Sequence, residues 1–357
     1  MKLSRIIGLC AVTILSVGTF ACNDVSAENA TQISNGIVRL RGGPESENVA
    51  ICILSNGNLQ LTYSDLTNSQ TRVYEYSDVT GLIIEMKGGE NSVEFHGDVA
   101  IDGNLTITSD GDCTFRSQIN GADSLVVAGN FNFWTQNGDD TFLVSYEEDS
   151  IDVGGDMNVL TGDFGIETIR IGNCVVAGEC EIRTGAGFDS VAVGVNQING
   201  LIPIDGITTG GDLTIHTGIV GHTDFVIFKD CIVGGDLLIV TGVGDDQISV
   251  QRVEIFGDAT IKAGRDSDMV YFSTTVIHGS LLLNSGAGHD IVDILSSDFL
   301  RRTSVYLMNG DDDLTIANSS FQPSTFIHGG NGFDSASQTG SSFAKGPLVL
   351  YVEDQDF

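Results

Sequence analysis

Residues 242–290 read GVGDDQISVQRVEIFGDATIKAGRDSDMVYFSTTVIHGSLLLNSGAGHD, and they contain the clearest repeat of the chain. A turn that contains glycine ends in an aspartate at a constant interval along the chain, at Asp246, Asp268 and Asp290. The same interval continues on both sides, so that six aspartates share one register: Asp224, Asp246, Asp268, Asp290, Asp312 and Asp334. With interruptions, the column extends backwards to Asp189, Glu167 and Asp140. A period of about 20 to 50 residues indicates a stacked repeat architecture.

Between successive acids, apolar residues alternate in three short runs. After Asp246 the alternating positions are Ile248 and Val250, then Val253 and Ile255, then Ala259, Ile261 and Ala263. Alternation with a period of two is typical of a strand with one buried face. Three short strands per coil of about 22 residues therefore predict an all-β fold, a single right-handed parallel β-helix. Stacked coils would pair like strands about 4.8 Å apart and satisfy their backbone hydrogen bonds.

Two kinds of small side chain fall on inward positions of this repeat. The third strand of successive coils ends in a threonine series, which predicts an internal ladder of hydroxyls: Thr135, Thr161, Thr184, Thr217 and Thr241. Five cysteines follow residue 27, and their odd number and wide spacing are not typical of a disulfide framework: Cys52, Cys113, Cys174, Cys180 and Cys231. We therefore interpret the cysteines mostly as core residues, where a thiol behaves as a small apolar group.

The chain divides into three predicted parts. Residues 1–27 have the pattern of a signal peptide, and residues 28–100 are interpreted as degenerate N-terminal coils and a cap. Residues 101–357 contain the parallel β-helix repeats. Insertions near 146–149 and 194–208 interrupt the period, and they are either functional loops or tolerated additions.

The predicted cap rests on a second, weaker repeat. The segment GNLQLT at residues 57–62 parallels GNLTIT at residues 103–108, which predicts equivalent strands in two coils. A cap is expected at this end because an uncovered end of a stacked sheet invites aggregation.

The N-terminal segment predicts export. Lys2 and Arg5 precede an apolar run over residues 6–21, and Val25-Ser26-Ala27 fits cleavage after a small-x-small pattern. The competing interpretation is a permissive lipobox ending at Cys22, which would leave a lipid-anchored N-terminus. No later segment has 18 continuous apolar residues, so we expect no transmembrane segment. The expected location is extracellular or the cell surface.

Charge limits the partners that the protein can have. The chain contains 16 Lys and Arg against 48 Asp and Glu, a formal net charge of −32. This charge repels nucleic acid, which we exclude as a partner, and it disfavours anionic membrane surfaces. Divalent cations and basic partners are favoured. The alternative is that the charge only keeps an exported protein in solution.

Individual turns resemble the hemolysin-type (RTX) calcium-binding repeat, Gly-x-Gly-x-Asp-x-U-x. The matching stretches are GAGFDSVAV at residues 185–193, GAGHDIVDI at residues 286–294 and GGNGFDSAS at residues 329–337. By this resemblance, calcium ligands would be the column aspartates: Asp140, Asp189, Asp246, Asp268, Asp290, Asp312 and Asp334. The family repeats its turn in tandem nonapeptides with two acid corners per coil, whereas only one such corner appears here in each longer coil. The resemblance therefore covers turns between about residues 138 and 337 and not the architecture.

Electrostatics independently favours calcium on this column. Carboxylates stacked about 5 Å apart repel each other by about 0.8 kcal/mol in water, and more strongly in a protein. Relief requires outward splay, raised pKa values or bound cations, and Ca²⁺ accepts carboxylate and carbonyl oxygens in flexible geometry. The alternative is that each aspartate only shapes its own turn through a hydrogen bond.

Functionally, these features favour a non-catalytic structural or adhesive protein. We find no GxSxG elbow, no phosphate-binding loop and no HExxH motif, and basic residues are scarce. The expected partners are Ca²⁺ and either a cell-surface polysaccharide or another protein. The alternative is a carbohydrate-active enzyme, a polysaccharide lyase or hydrolase, because parallel β-helices host such enzymes. Its site would lie on a strand face near the insertion at 194–208.

Overall fold

The structure is a computed structural model that describes residues 33–65, 69–75, 79–117, 124–144, 150–162, 164–194, 206–218, 221–322 and 324–356. The described residues contain no helix. They accordingly include no helical segment with the length and apolarity needed to cross a membrane. Their 42 strands, numbered here in chain order, form three long sheets and one two-stranded sheet. The predicted all-β class is confirmed.

The three long sheets run the length of the molecule. Sheet A contains β1 (Ile33–Ser34), β2 (Ile37–Arg41), β6 (Gly81–Glu85), β9 (Leu105–Ser109), β12 (Phe131–Thr135), β15 (Met157–Leu160), β19 (Cys180–Arg183), β23 (Leu213–His216), β26 (Leu237–Val243), β29 (Ala259–Arg265), β32 (Leu281–Ala287), β35 (Thr303–Asn309), β38 (Thr325–Asn331) and β41 (Leu348–Leu350). Sheet B contains β3 (Glu47–Ile53), β4 (Leu59–Asp65), β5 (Ser69–Tyr74), β7 (Asn91–His96), β10 (Cys113–Arg116), β13 (Thr141–Val144), β17 (Thr168–Ile171), β21 (Ser190–Val193), β24 (Phe225–Lys229), β27 (Gln247–Gln251), β30 (Met269–Ser273), β33 (Ile291–Leu295), β36 (Asp313–Ala317), β39 (Ser335–Thr339) and β42 (Asp354–Asp356).

Sheet C has the shortest strands. It contains β8 (Val99–Ile101), β11 (Ser124–Val127), β14 (Ser150–Val153), β18 (Cys174–Val176), β22 (Ile207–Thr209), β25 (Ile232–Val233), β28 (Glu254–Ile255), β31 (Val276–Ile277), β34 (Asp298–Phe299), β37 (Ser320–Phe321) and β40 (Ser342–Phe343). The two-stranded sheet pairs β16 (Phe164–Gly165) with β20 (Ala186–Gly187).

Each regular coil visits the three sheets in a fixed order. The chain runs through β27 in sheet B, β28 in sheet C and β29 in sheet A, and the next coil begins with β30 in sheet B. All three strands pair in parallel with the strands one coil later, in registers such as Ile248 with Val270, Ile255 with Ile277 and Ile261 with Leu283. The shift between paired residues is the same in each sheet and equals the interval between the aspartates. The predicted parallel β-helix with three strands per coil is therefore confirmed.

The core is a continuous apolar column inside the coils. The inward positions predicted after Asp246 are all buried, from Ile248 to Ala263. Like residues stack on like residues, as where the rings of Phe299, Phe321 and Phe343 are parallel at centroid distances of 4.8 and 4.9 Å. Burying an apolar side chain stabilises the fold by about 1.5–3 kcal/mol, so each added coil contributes to the whole column.

The predicted inward threonines are buried, but they do not form a ladder with one another. Thr241 Oγ1 donates to the carbonyl of Ala263 at 2.7 Å, and Thr161 Oγ1 donates to the carbonyl of Arg183 at 3.4 Å. A buried hydroxyl needs a partner, and for these two threonines a backbone carbonyl of the next coil supplies it.

The predicted equivalence of the two GNL segments is wrong. GNLTIT contributes β9 to sheet A, whereas GNLQLT contributes β4 to sheet B, antiparallel to β3. The cause is the Asn56-Gly57 turn, in which Gly57 has a φ of +85° and the Asn58 amide donates to Asn56 Oδ1 at 3.0 Å. Asn-Gly favours a tight hairpin, which reverses the chain before it can complete a coil.

The N-terminal ends of sheets A and B consist of antiparallel strands. Strands β3, β4 and β5 form a meander at the end of sheet B, and β1 pairs antiparallel with β2 at the end of sheet A. The signal segment 1–27, the insertion 146–149 and most of the insertion 194–208 lie outside the described residues.

Candidate functional site

The predicted column of acids lies at the corner where sheet A passes into sheet B. Asp246 directly precedes β27, and the other acids precede the equivalent strands. From Asp189 to Asp312, each backbone N–H of the column donates to the carboxylate Oδ1 one coil later: Asp189 to Asp224 at 3.0 Å, Asp224 to Asp246 at 2.8 Å, Asp246 to Asp268 at 2.9 Å, Asp268 to Asp290 at 2.9 Å, Asp290 to Asp312 at 2.8 Å and Asp312 to Asp334 at 3.1 Å. The acids are therefore stacked one per coil, as their constant interval predicts.

The glycine turn before each acid permits this stacking. Gly244 and Gly288, each two residues before a column aspartate, have φ values of +140° and +153°. A Cβ placed on Gly288 would lie 2.0 Å from the carbonyl oxygen of Asp266 in the preceding coil. Glycine is required here both by its left-handed backbone and by the close approach of two coils.

The carboxylates point inward and not to solvent. All seven predicted metal ligands are at most 3% exposed: Asp140, Asp189, Asp246, Asp268, Asp290, Asp312 and Asp334. Their second oxygens differ along the column. Oδ2 of Asp140 and of Asp189 accepts a hydrogen bond from the hydroxyl of Thr135 and of Thr184, respectively. In the later coils Oδ2 is buried without a hydrogen-bond partner among the described residues, at Asp246, Asp268, Asp290, Asp312 and Asp334.

Burial raises the pKa of seven column acids: Asp140, Asp224, Asp246, Asp268, Asp290, Asp312 and Asp334. Loss of water is the largest cause, and neighbouring carboxylates add to it, whereas the hydrogen bonds from backbone N–H groups act in the opposite direction. The pKa rises from 3.8 to about 6 at Asp140 and Asp246, to about 7 at Asp224 and Asp312, and to about 8 at Asp268. The pKa values of Asp290 and Asp334 are also raised. Outward splay, raised pKa values and bound cations were the three expected ways to reduce repulsion between the stacked carboxylates. The carboxylates do not splay outward, and their pKa values are raised.

Glu167 also lies in the column, beside Asp189. Burial first, and then its contacts with Asp189, hold the Glu167 pKa well above its usual range. The neighbouring carboxylate disfavours the ionised form of Glu167.

The alternative prediction was that each aspartate accepts a hydrogen bond from its own turn. The carboxylate does accept a hydrogen bond, but its Oδ1 accepts from the N–H of the preceding coil and therefore connects two coils. Sequence alone cannot distinguish these two acceptor geometries, because both need an aspartate after a glycine turn. Among the described residues, no group of three His, Cys, Asp or Glu side chains is arranged to hold a metal ion.

Two further ladders of the same kind were not predicted. At the corner from sheet C to sheet A, the N–H of Asp236 donates to Asp212 Oδ1 at 2.8 Å and that of Asp258 to Asp236 Oδ1 at 2.7 Å. At the corner from sheet B to sheet C, the N–H of Thr275 and that of Ser297 each donate to the serine hydroxyl one coil later at 3.1 Å. The recurring Gly-Gly-Asp of residues 154–156, 210–212 and 234–236 was the signal that could have revealed the first ladder.

The cysteines follow the prediction with one exception. Four are free and buried: Cys113, Cys174, Cys180 and Cys231. Burial raises the pKa of each thiol, which makes it unreactive. Cys52 is buried and disulfide-bonded, and none of the other described cysteines is its partner.

Comparisons with protein-family models, with curated proteins and with solved structures find no match to this chain. The resemblance of single turns to hemolysin-type repeats therefore rests on the motif alone.

Proposed function

We propose that this protein is a non-catalytic β-helix with a structural or adhesive role outside the cytoplasm. The observation that carries the proposal is the use of its acids: the column carboxylates are buried and accept hydrogen bonds from the backbone of neighbouring coils. A carboxylate in that position cannot contact an external polymer, and it holds one coil on the next. Contacts with partners are then left to the outer faces of the sheets and to the loops.

Export is part of this proposal, and the sequence of residues 1–27 supports it. Mass spectrometry of the mature N-terminus tests it. Cleavage after Ala27 would indicate a free protein, and a lipid on Cys22 an anchored one. An intact Met1 on protein recovered from the cytoplasm would contradict export.

Calcium is the proposed ion for the acid column. The unpartnered Oδ2 atoms of the later coils support this proposal, as does the resemblance of the turns to hemolysin-type repeats. An ion that binds the folded state alone raises its stability by mass action. At pH 8, thermal unfolding in CaCl₂ and in EDTA should differ, and the difference should shrink in Asp268→Asn.

Protonation is the alternative way to reduce the repulsion between the column carboxylates. The same experiment distinguishes protonation from calcium binding. If calcium leaves the melting temperature unchanged at pH 8 while acidification raises it, protons alone occupy the column and calcium binding is wrong.

The non-catalytic assignment has its own test. Incubation with pectate, alginate and hyaluronate should release no unsaturated or reducing ends. Turnover of any of these polymers would establish the lyase or hydrolase alternative instead.

A further inference from the structure

Sheet A differs from the rest of the molecule in charge. The chain as a whole has three acids for every base, with 48 Asp and Glu against 16 Lys and Arg. The fourteen strands of sheet A reverse this ratio, with two acids, Glu85 and Glu181, against five bases: Arg39, Arg41, Arg183, Lys262 and Arg265. The strands of sheet A therefore carry a net positive charge within a strongly acidic protein.

Both acids of sheet A are neutralised within it. Glu85 forms ion pairs with Arg39 and Arg41, at 3.6 and 2.7 Å, and Glu181 pairs with Arg183 at 2.5 Å. Lys262 and Arg265, both exposed, form no ion pair with any residue that the structure describes. They are available to an anionic ligand.

A groove of about 490 Å³ lies between these two cations. It crosses β26, β29, β32 and β35, and its floor is the backbone of the stacked glycines Gly242, Gly264 and Gly286. Lys262 and Asn284 line one wall, and Arg265 and Asn309 the other. The remaining surface is apolar, contributed by side chains such as Met308 and Val240. A concave apolar surface with a few convergent polar groups is typical of ligand sites.

The wall that contains Lys262 continues beyond the groove as a column of outward side chains. Successive coils place Arg183, His216, Val240, Lys262, Asn284, Tyr306 and His328 in register. Burial first, and then Arg183, lower the pKa of His216; Glu181 opposes them, and Lys262 adds a smaller lowering. Towards the C-terminal end, His328 lies 6.2 Å from the Tyr306 ring and 4.8 Å from the Tyr351 ring.

We propose that this groove of sheet A binds a carboxylated polysaccharide. Lys262 and Arg265 pair with uronate carboxylates, for which the planar guanidinium is especially suited, and Asn284 and Asn309 bond to hydroxyls. The apolar walls and the neighbouring rings contact the apolar faces of the sugar rings. The inference rests on the proposed adhesive function and names its ligand.

A saccharide fits this face better than an acidic peptide does. Extended peptides commonly bind by adding a strand to an open sheet edge. Each groove strand is already paired on both sides, so the groove offers no unpaired backbone to a peptide. It runs across the strands and offers side chains and amides at intervals of one coil, which suits a chain of hydroxyl-bearing units.

The test is calorimetric titration of the full mature protein with an oligogalacturonate, in EDTA so that calcium cannot bridge the two. A cello-oligosaccharide of equal length is the neutral control, and poly-glutamate is the anionic peptide control. We expect the uronate oligomer to bind and both controls not to bind. Lys262→Gln with Arg265→Gln should weaken binding by at least about tenfold.

A matched double variant removes the same charge elsewhere. Arg170→Gln with Lys229→Gln takes two cations from sheet B and should leave the affinity unchanged. Equal losses in the two double variants, equally tight binding of poly-glutamate, or no binding of the uronate oligomer would each overturn the groove assignment. Cleavage of a bound oligomer would instead overturn the non-catalytic function and leave the groove in place.

Discussion

The acid column differs between its two halves. In the first half the corner position is occupied by mixed residues, Glu47, Asn91, Cys113, Asp140, Glu167 and Asp189, at irregular intervals. In the second half it is aspartate in every coil, at Asp224, Asp246, Asp268, Asp290, Asp312 and Asp334, at a constant interval. The hydrogen bond is nevertheless the same, because the N–H of Glu47 donates to Asn91 Oδ1 at 3.2 Å.

This comparison shows that the corner uses an acceptor oxygen and does not need a charge. Where Cys113 offers no oxygen, the N–H of Asn91 donates to the backbone carbonyl of Asp112 at 2.8 Å. Asn91 supplies the oxygen without any desolvated charge, and its Nδ2 donates to Ser109 Oγ at 2.9 Å. From Asp246 onwards the aspartates supply the same oxygen but keep a buried carboxyl whose second oxygen has no hydrogen-bond partner among the described residues. An unpaired buried carboxylate is costly, so these corners should respond to pH more strongly than the corner at Asn91.

The largest expected effect is that of pH on the second half. The folded-state pKa values of about 6 to 8 lie above the ordinary 3.8, so the stabilisation by bound protons is complete below about pH 4 and is lost as pH rises through 6 to 8. One pKa unit corresponds to about 1.4 kcal/mol, and several acids contribute. Stability should therefore fall from pH 5 to pH 8.

Amide hydrogen exchange, corrected for intrinsic rates, measures this predicted loss of stability at single residues. The protection of the Asp246 and Asp268 amides should fall more between pH 5 and pH 8 than that of the Glu47 amide. An equal fall at the Glu47 amide would mean that the column acids do not carry the pH dependence.

Replacement of a corner glycine should be the next largest effect. Gly288→Ala places a Cβ 2.0 Å from a backbone oxygen, at a φ of +153°, and should cost about 3 kcal/mol or more. Gly57→Ala in the first half is the matched control: its φ is +85°, nothing lies within 4 Å of the added Cβ, and about 1 kcal/mol is expected. Urea unfolding of both variants measures the difference. Equal costs would show that backbone conformation, and not the approach of coils, requires the corner glycines.

Removing one acceptor from the second half should have an intermediate effect. Asp268→Ala leaves the buried N–H of Asp246 unpaired and should cost about 1–3 kcal/mol at pH 5. Asp268→Asn keeps the acceptor, as Asn91 does naturally, and should match or exceed the wild-type stability at pH 8. If Asp268→Asn is as unstable as Asp268→Ala at both pH values, the column needs its charge and our interpretation is wrong.

The smallest expected effect concerns one missing hydroxyl. Thr241 lies five residues before Asp246, and although its hydroxyl donates to the carbonyl of Ala263, its closeness to the carboxylate lowers the pKa of that acid. Ala263 occupies the same position before Asp268. Ala263→Ser should therefore lower the Asp268 pKa from about 8 towards that of Asp246. Carboxyl chemical shifts followed through a pH titration measure this. An unchanged pKa would mean that the serine hydroxyl bonds only to the carbonyl one coil later.

Much of the fold was predictable because the column aspartates recur at one constant interval. The equal steps from Asp246 to Asp268 and Asp290 fix the coil length, and the alternation around Ile248 and Ile261 fixes which side of each strand is buried. The hairpin after Asn56-Gly57 was missed because its GNLQLT strand has the same local pattern as the true coil strand GNLTIT. Only the turn before the strand distinguishes the two.

The site was predictable in position but not in chemistry. The sequence places the acids on one corner, yet both an outward calcium ladder and an inward hydrogen-bonded column require aspartate after a glycine turn. The charge reversal of sheet A was hidden for a related reason: Arg39 and Arg265 are far apart in the chain, and only stacking brings their strands into one sheet.

The repeat, the three strands of each coil and the stacking of like residues follow from the order of residues along the chain, because a strand period and a coil period are both local properties. The partners of the stacked groups depend on the folded structure. Oδ1 of Asp268 accepts a hydrogen bond from the N–H of Asp246 because successive coils are in contact there. Lys262 faces the groove beside Arg265 because the strand bends at Gly264. Such contacts join residues of different coils or depend on a backbone bend, and no pattern within one coil encodes them.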